Sequence, residues 1–289
     1  MNVREIQAKT LLSSVKDPDP WFGIKYTMNL YRGCGHHCIY CDSRSECYQI
    51  EDFDGEVLVK ANAPALLRHE LAHKRIKGYI GTGSMNDPYQ PVERKFRLTT
   101  QALAIVAEFG FPVHILTKSD LVLRDVDLLL AINAAAGPAG AVASFTITAA
   151  DDELARKVEP GAPPSSARFR ALETLAAAGI RTGVMLMPVL PYLEDNAANI
   201  TAIVTRAHEC GASHVVPGFG MTLRNRQRDY YYAELDRLFP GLRSIYERRY
   251  GERYHADGQH TAQLEALFDG LAQRYGLARG VAPYRMQQP

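Results

Sequence analysis

Residues 25–41, KYTMNLYRGCGHHCIYC, set a buried-strand pattern directly ahead of three closely spaced cysteines. The half-alternating apolar content of Lys25 to Tyr31 predicts a strand that ends at Arg32-Gly33. Cys34, Cys38 and Cys41 follow with Cx3Cx2C spacing. Gly33 and Gly35 permit turns tight enough to bring three sulfurs to one centre. A closed zinc site or a fully ligated iron–sulfur cluster takes four protein ligands, normally in two separated pairs, so three thiolates leave one coordination position open. A zinc knuckle completed by Cys47, His36 or His37 is the plain alternative.

Downstream, the apolar period switches repeatedly between that of a strand and that of a helix, the signature of parallel strands joined by crossover helices. A helix is expected from Asn62, with Pro64 in its first turn, followed by a strand over Gly78–Thr82. Thr99 or Thr100 opens a helix through Phe109, Pro112–Thr117 is a third strand, and Asp125 opens the next helix. A strand over Ala141–Thr148 precedes a helix from Ser165 or Ser166 that stops at Gly179. Arg181–Met187 is a fifth strand, broken by Pro188; Asn196–Cys210 is its helix, and Ser213–Val216 a sixth strand. The expected fold is α/β, a partial (β/α)6 TIM-type barrel over 25–220, with an N-terminal extension (1–24) and a C-terminal helical extension (221–289). In such folds ligands gather at the carboxyl ends of the strands, where the polar and glycine-rich segments of this chain fall.

Composition narrows the partners. In 289 residues, 33 basic side chains nearly cancel 32 acidic ones, a net charge of +1, so contact with a polyanion could only be a local patch. No apolar run approaches the ~20 residues needed to span a bilayer. Met1–Ser14 lacks the apolar core of a secretory signal, which leads us to expect a cytoplasmic protein. In a reducing compartment the clustered cysteines read as metal ligands or reactive thiols rather than disulfides, and Cys210 as packing.

Cx3Cx2C after the first strand of a repeating βα chain resembles the radical S-adenosylmethionine (SAM) enzymes. The resemblance implies a [4Fe-4S] cluster on Cys34, Cys38 and Cys41, with SAM on the fourth iron and Tyr40 packed near its adenine. Tyr40-Cys41-Asp42, Asp87-Pro88-Tyr89-Gln90-Pro91 with Glu93, Thr117-Lys118-Ser119 with Arg124-Asp125, Glu159-Pro160, and Pro188 with Pro191 occur in the order found in the spore photoproduct lyase-like branch. That similarity runs from Tyr26 to Phe219. It implies SAM contacts from Ser84 and Asn86, from the backbone of Thr82 and Gly83, from Lys118 to the SAM carboxylate, and from Ser144; Arg168 either reaches the carboxylate or lies on a solvated face. The plainer readings are turn formers for Ser84 and Asn86, a snorkelling Lys118 and a satisfied hydroxyl for Ser144. Asp87 and Glu93 read equally as a turn and a helix start, Glu194-Asp195 as charge near a helix N-terminus.

The expected chemistry is one-electron cleavage of SAM, driven by a reductase, flavodoxin or ferredoxin, to a 5′-deoxyadenosyl radical that takes hydrogen from a substrate enclosed by the C-terminal helices. One departure stands out. Ser84 occupies the place of the cysteine with which photoproduct lyases return a hydrogen atom to thymine, and a serine O–H bond is too strong for that step. A photoproduct-type DNA lyase would therefore need Cys47 or a tyrosine as donor. Arg224, Arg226, Arg228, Tyr230, Tyr231 and Tyr232 form the one segment suited to nucleic acid; the alternative is an amphipathic helix over the barrel end, its arginines balanced by Asp229, Glu234, Asp236 and Glu247. A rival function follows, that of a metal-bearing nucleic-acid-binding protein without SAM turnover.

Overall fold

The computed structural model describes residues 1–17 and 20–285. Three strands come first: β1 (Asn2–Ile6), β2 (Leu12–Ser14) and β3 (Ile24–Met28). After β4 (Tyr31–Arg32) and β5 (Glu56–Lys60), the chain forms α1 (Ala63–Ala72), β6 (Tyr79–Gly81), α2 (Glu93–Phe96), α3 (Leu98–Glu108) and β7 (Val113–Thr117). Then come α4 (Val126–Ala136), β8 (Ala141–Thr146), α5 (Asp152–Val158), α6 (Ser165–Ala177), β9 (Arg181–Val189), α7 (Ala197–Glu209) and β10 (His214–Thr222). The chain closes with α8 (Asn225–Leu238), α9 (Leu242–Tyr250), β11 (His255–Asp257) and α10 (Thr261–Tyr275).

The main sheet has the order β11-β10-β9-β8-β7-β6-β3-β2. Its six central strands are parallel, while β2 and β11 cap the two edges antiparallel. The edges do not pair with each other, so this is the partial barrel expected from the sequence, not a closed one. Val113, Ile115, Phe145, Val184, Leu186 and Val215 are fully buried, the all-apolar reading of strands covered on both faces. Among the described residues no helix is long and apolar enough to cross a membrane.

Three expectations are revised. The first strand splits: Met28 ends its run in the main sheet, and Tyr31–Arg32 turns away to pair antiparallel with β5. That small sheet also takes β1, so the N-terminal residues build both sheets. Pro188 does not break β9. Pairing with β8 ends at Thr146–Met185, and the β10 register skips from Leu186 to Val189, so the missing N–H faces no ladder partner. The C-terminal segment is helical as expected but returns β11 to the sheet edge.

Candidate functional site

The cysteine loop is held from four directions. Asn86 Nδ2 donates to Tyr31 O at 2.8 Å, ahead of the loop. Gln90, fully buried, receives the Gly35 N–H at 2.9 Å and donates to Gly33 O at 3.2 Å, bracketing Cys34. Ile39 N–H donates to Val158 O at 2.9 Å, and Gln227 Nε2 to Tyr40 O at 3.1 Å. Gly33 has φ +82°, and a Cβ there would stand 2.6 Å from Glu56 O, so the turn into the loop requires glycine.

Cys34, Cys38 and Cys41 all line one cavity of about 770 Å³ along the carboxyl ends of the strands. Burial, with Asp87 adding to it, pushes the Cys34 thiol up to about 12, and burial likewise raises Cys38 and Cys41. Such thiols become ligands by releasing their protons to solvent as a cationic partner takes the protons' place and offsets the desolvation. Among the described residues no three of His, Cys, Asp and Glu are arranged to hold a single metal ion. Three cysteine sulfurs on one cavity are the donor chemistry that an iron–sulfur cluster takes, each sulfur on its own iron.

The opposite wall is the turn after β6. Thr82, Gly83, Ser84 and Asn86 line the cavity, and the buried Thr82 hydroxyl has no hydrogen-bond partner. Ser84 is exposed, its hydroxyl 3.4 Å from Asn29 Oδ1. Lys118, at the end of β7, enters the same space. Its Nζ lies 3.8 Å from Glu159 and 5.6 Å from the centre of the Tyr40 ring. Burial would lower its pKa, but Cys38 and Glu159 outweigh burial and raise it, so the ammonium stays charged. Glu159 also receives the Tyr40 hydroxyl and pairs with Arg168 at 2.5 Å. One carboxylate thus faces two cations, which leaves the partly exposed Lys118 ammonium able to take an anion from the cavity as a further partner.

Two of the candidate SAM contacts are not brought to this cavity. Ser144 is fully buried, its hydroxyl 2.8 Å from both His114 Nε2 and His214 Nε2, so its bonding capacity is spent inside the sheet. Arg168 is neither solvated nor free to reach a carboxylate: Nε and Nη1 donate to Pro163 O and Thr146 O at 2.8 Å each, and Glu159 takes the rest. Asn86 is at the wall, with its amide engaged on Tyr31. Cys47 lies outside the cavity lining, exposed, with Arg224 Nη1 2.8 Å from its sulfur.

The other polar residues are braces. Asp87 accepts from Thr117 Oγ1 at 2.7 Å and Lys118 N at 2.6 Å and meets His36 Nε2 at 3.2 Å. Although burial opposes it, this company holds Asp87 down at about 2. Glu93 opens α2 and joins Tyr31, Arg124 and the Thr99 N–H. Glu194, expected as charge near a helix N-terminus, does stand two residues ahead of the α7 cap Asn196, but it is fully buried and accepts from Leu190 N and Thr148 Oγ1. Arg226 donates to the carbonyls of Arg44, Ile50 and Glu51, while Arg224 pairs with Asp42 and Arg228 with Glu252. The arginine–tyrosine segment is therefore an inward-facing cover on the cysteine loop, with partners other than the acids expected for it. Sequence reasoning missed Trp21, Phe22, His255 and Met185 in the cavity wall, since only the tertiary fold joins residues so far apart in the chain.

A half-open parallel barrel with three cysteine sulfurs at its carboxyl rim defines a class of SAM-dependent radical proteins. The chain belongs to the Radical SAM superfamily, whose family model matches residues 28–201. It is 32% identical over 280 residues to an uncharacterised protein of Mycobacterium tuberculosis, covering 95% of this chain and 81% of that one. An uncharacterised protein of Methanocaldococcus jannaschii is 34% identical over 197 residues, 68% of this chain and 70% of that one. The fold is similar to that of a spore photoproduct lyase solved with bound AdoMet and dinucleoside spore photoproduct: TM-score 0.68 at 14% identity, over 94% of this chain and 79% of that one. Membership implies an iron–sulfur cluster and SAM as cofactors, and an enzyme of the radical SAM type.

Proposed function

We propose that this protein holds a [4Fe-4S] cluster on Cys34, Cys38 and Cys41 and binds SAM across the carboxyl edge. Held there and reduced by a protein donor, the cluster would supply the electron that cleaves SAM to methionine and a 5′-deoxyadenosyl radical, and a substrate in the same cavity would give up hydrogen to that radical. Lys118 offers its ammonium to the SAM carboxylate, and Thr82 and Ser84 offer hydroxyls beside it. Tyr40, pinned by Glu159, presents an aromatic face, while Arg168 keeps Glu159 ionised and thereby fixes both Tyr40 and Lys118. Met185, Met187 and Phe219 give an apolar wall that excludes water from a radical.

The observation that carries this reading is that three sulfurs, a lysine ammonium whose partner Glu159 is shared with Arg168, and a Thr82 hydroxyl unpartnered among the described residues line one cavity. Ser84, in the place of the lyase thiol, and Cys47, outside the cavity, both argue for a substrate other than a thymine photoproduct. The test is anaerobic reconstitution. Iron and sulfide near four each per chain, with 5′-deoxyadenosine released under dithionite, are expected, and both are lost in a Cys34→Ala/Cys38→Ala/Cys41→Ala protein. A colourless protein holding one tetrahedral zinc would overturn the reading.

A further inference from the structure

We propose that the surface formed by α2 and the turn after it docks a small acidic electron-transfer protein of the flavodoxin type. The inference rests on the cluster reading above and goes on to say where the electron enters. Protein-mediated electron transfer weakens with each ångström of separation, so a donor must settle where the wall over the cluster ligands is thinnest.

That place can be located. Gly35 lies between the first two ligands, and a Cβ on it would stand 3.3 Å from the ring of Pro91, which is solvent-exposed. Gly161, also exposed, meets the other side of the loop: its N–H donates to His36 O at 2.9 Å, and a Cβ there would stand 2.3 Å from Gly35 O. Gly161, Pro91 and the Met1 side chain, whose Cε a Cβ on Gly35 would meet at 2.9 Å, cover this stretch of the loop, and all three are exposed.

The rim of this thin place is cationic. The buried Gln90 that brackets Cys34 leads within a few residues to Arg94, Lys95 and Arg97, all exposed and, among the described residues, in no ion pair. The one acid between them and Gln90, Glu93, is turned inward and consumed by Tyr31, Arg124 and Thr99. Two acids near the loop's other flank are also bonded. Asp54 is bound by Arg44 and His37, and Asp52 accepts the Gly55 N–H at 2.8 Å. In a chain of almost zero net charge, three exposed cations that follow Pro91 and its thin cover on the ligand loop make a steering patch for an acidic partner. When the donor docks, one electron would leave its anionic flavin hydroquinone, giving the neutral semiquinone with no proton moved, and enter the cluster.

The reconstituted holoenzyme with saturating SAM tests this. 5′-Deoxyadenosine formation is measured for wild type and Arg94→Glu/Lys95→Glu/Arg97→Glu, driven in parallel by dithionite and by limiting reduced flavodoxin. The expected result is an unchanged dithionite rate, a flavodoxin-driven rate lower by about tenfold or more, and a wild-type rate that falls with added salt while the variant's does not. Equal flavodoxin-driven rates, or a wild type that works with dithionite and not with flavodoxin, would overturn the docking surface. Failure of the wild type with dithionite would overturn the cluster reading instead. Should the charge-reversed protein lose its dithionite rate, the Arg94→Gln/Lys95→Gln/Arg97→Gln variant, judged by the same ratio of rates, takes its place.

Discussion

Ser144 and Lys118 sit on neighbouring parallel strands, yet their surroundings are built on opposite terms. Around Ser144 every bond closes: His114 and His214 flank the hydroxyl, His114 Nδ1 lies 2.9 Å from Phe22 O, and His214 Nδ1 lies 2.9 Å from Ser213 Oγ. Gly183 makes room for the His214 ring, since a Cβ there would stand 2.3 Å from it. Burial, with His114 and Arg181, lowers His214 to about 3, so it stays neutral at physiological pH. Around Lys118 the bonds do not close, because Glu159 is already shared with Arg168 and Tyr40. Polar residues of the same kinds therefore serve structure where their capacity is spent and chemistry where some is left over.

The largest expected effect concerns another closed group, Glu194. Burial pushes its carboxyl up to about 8, so between its unfolded value and that pH the folded protein keeps a proton the unfolded chain has lost. Stability from this group is complete below the unfolded pKa and falls as pH rises, by about 1.4 kcal/mol per unit. Glu194→Gln keeps one oxygen to accept the Leu190 N–H and sets its NH2 against Thr148 Oγ1, which can accept, and denaturant midpoints measured from pH 5 to 8 are expected to lose that slope. An unchanged slope would mean Glu194 is ionised, and therefore not part of a closed group.

Ser144→Ala comes next. It strands a nitrogen on each of two buried histidines, at a cost of about 1–3 kcal/mol in urea unfolding, and leaves SAM affinity of the surviving folded protein unchanged. A SAM defect at constant stability would return Ser144 to the binding site. Lys118→Met should do the reverse. Loss of one charge-assisted contact weakens SAM binding by about tenfold or more in equilibrium dialysis of the reconstituted protein, with little change in the unfolding midpoint. Together the two variants break the comparison cleanly if either shows the other's phenotype.

The contrast also marks how far the sequence could be read. The three cysteines were legible because metal chemistry fixes residue type and spacing within eight positions, and the βα units because period 2 and period 3.6 differ over a few residues. The start of α7 was legible too: the helix expected from Asn196 begins one residue on, with Asn196 receiving the Asn199 N–H at 3.0 Å as its cap. Ser144 was not, since its partners lie 30 and 70 positions away on strands whose register only the folded sheet sets. Arg168 was not, because the carboxylate that consumes it, Glu159, belongs to the preceding helix–helix turn. Strand β1 is mostly exposed and has no apolar alternation to announce it. Local chemistry announces itself in sequence, whereas satisfaction of a polar group is a tertiary property.

The smallest expected effect is that of Cys47→Ala, and it tests the contrast from the side of the thiols. Cys47 is exposed and its sulfur accepts from Arg224, which keeps a second tie to Asp42 at 3.0 Å, so the loop does not depend on it. A surface change of this kind shifts stability by less than about 0.5 kcal/mol. Cluster content and 5′-deoxyadenosine release should match wild type, because the three other cysteines near it are the ones that line the cavity. If Cys47→Ala instead cleaves SAM normally but fails to complete turnover of a substrate, the short helix carrying Cys47 must swing inward during the reaction. The thiol would then be a hydrogen donor held outside the cavity at rest, and spent bonding capacity would no longer separate structural residues from chemical ones.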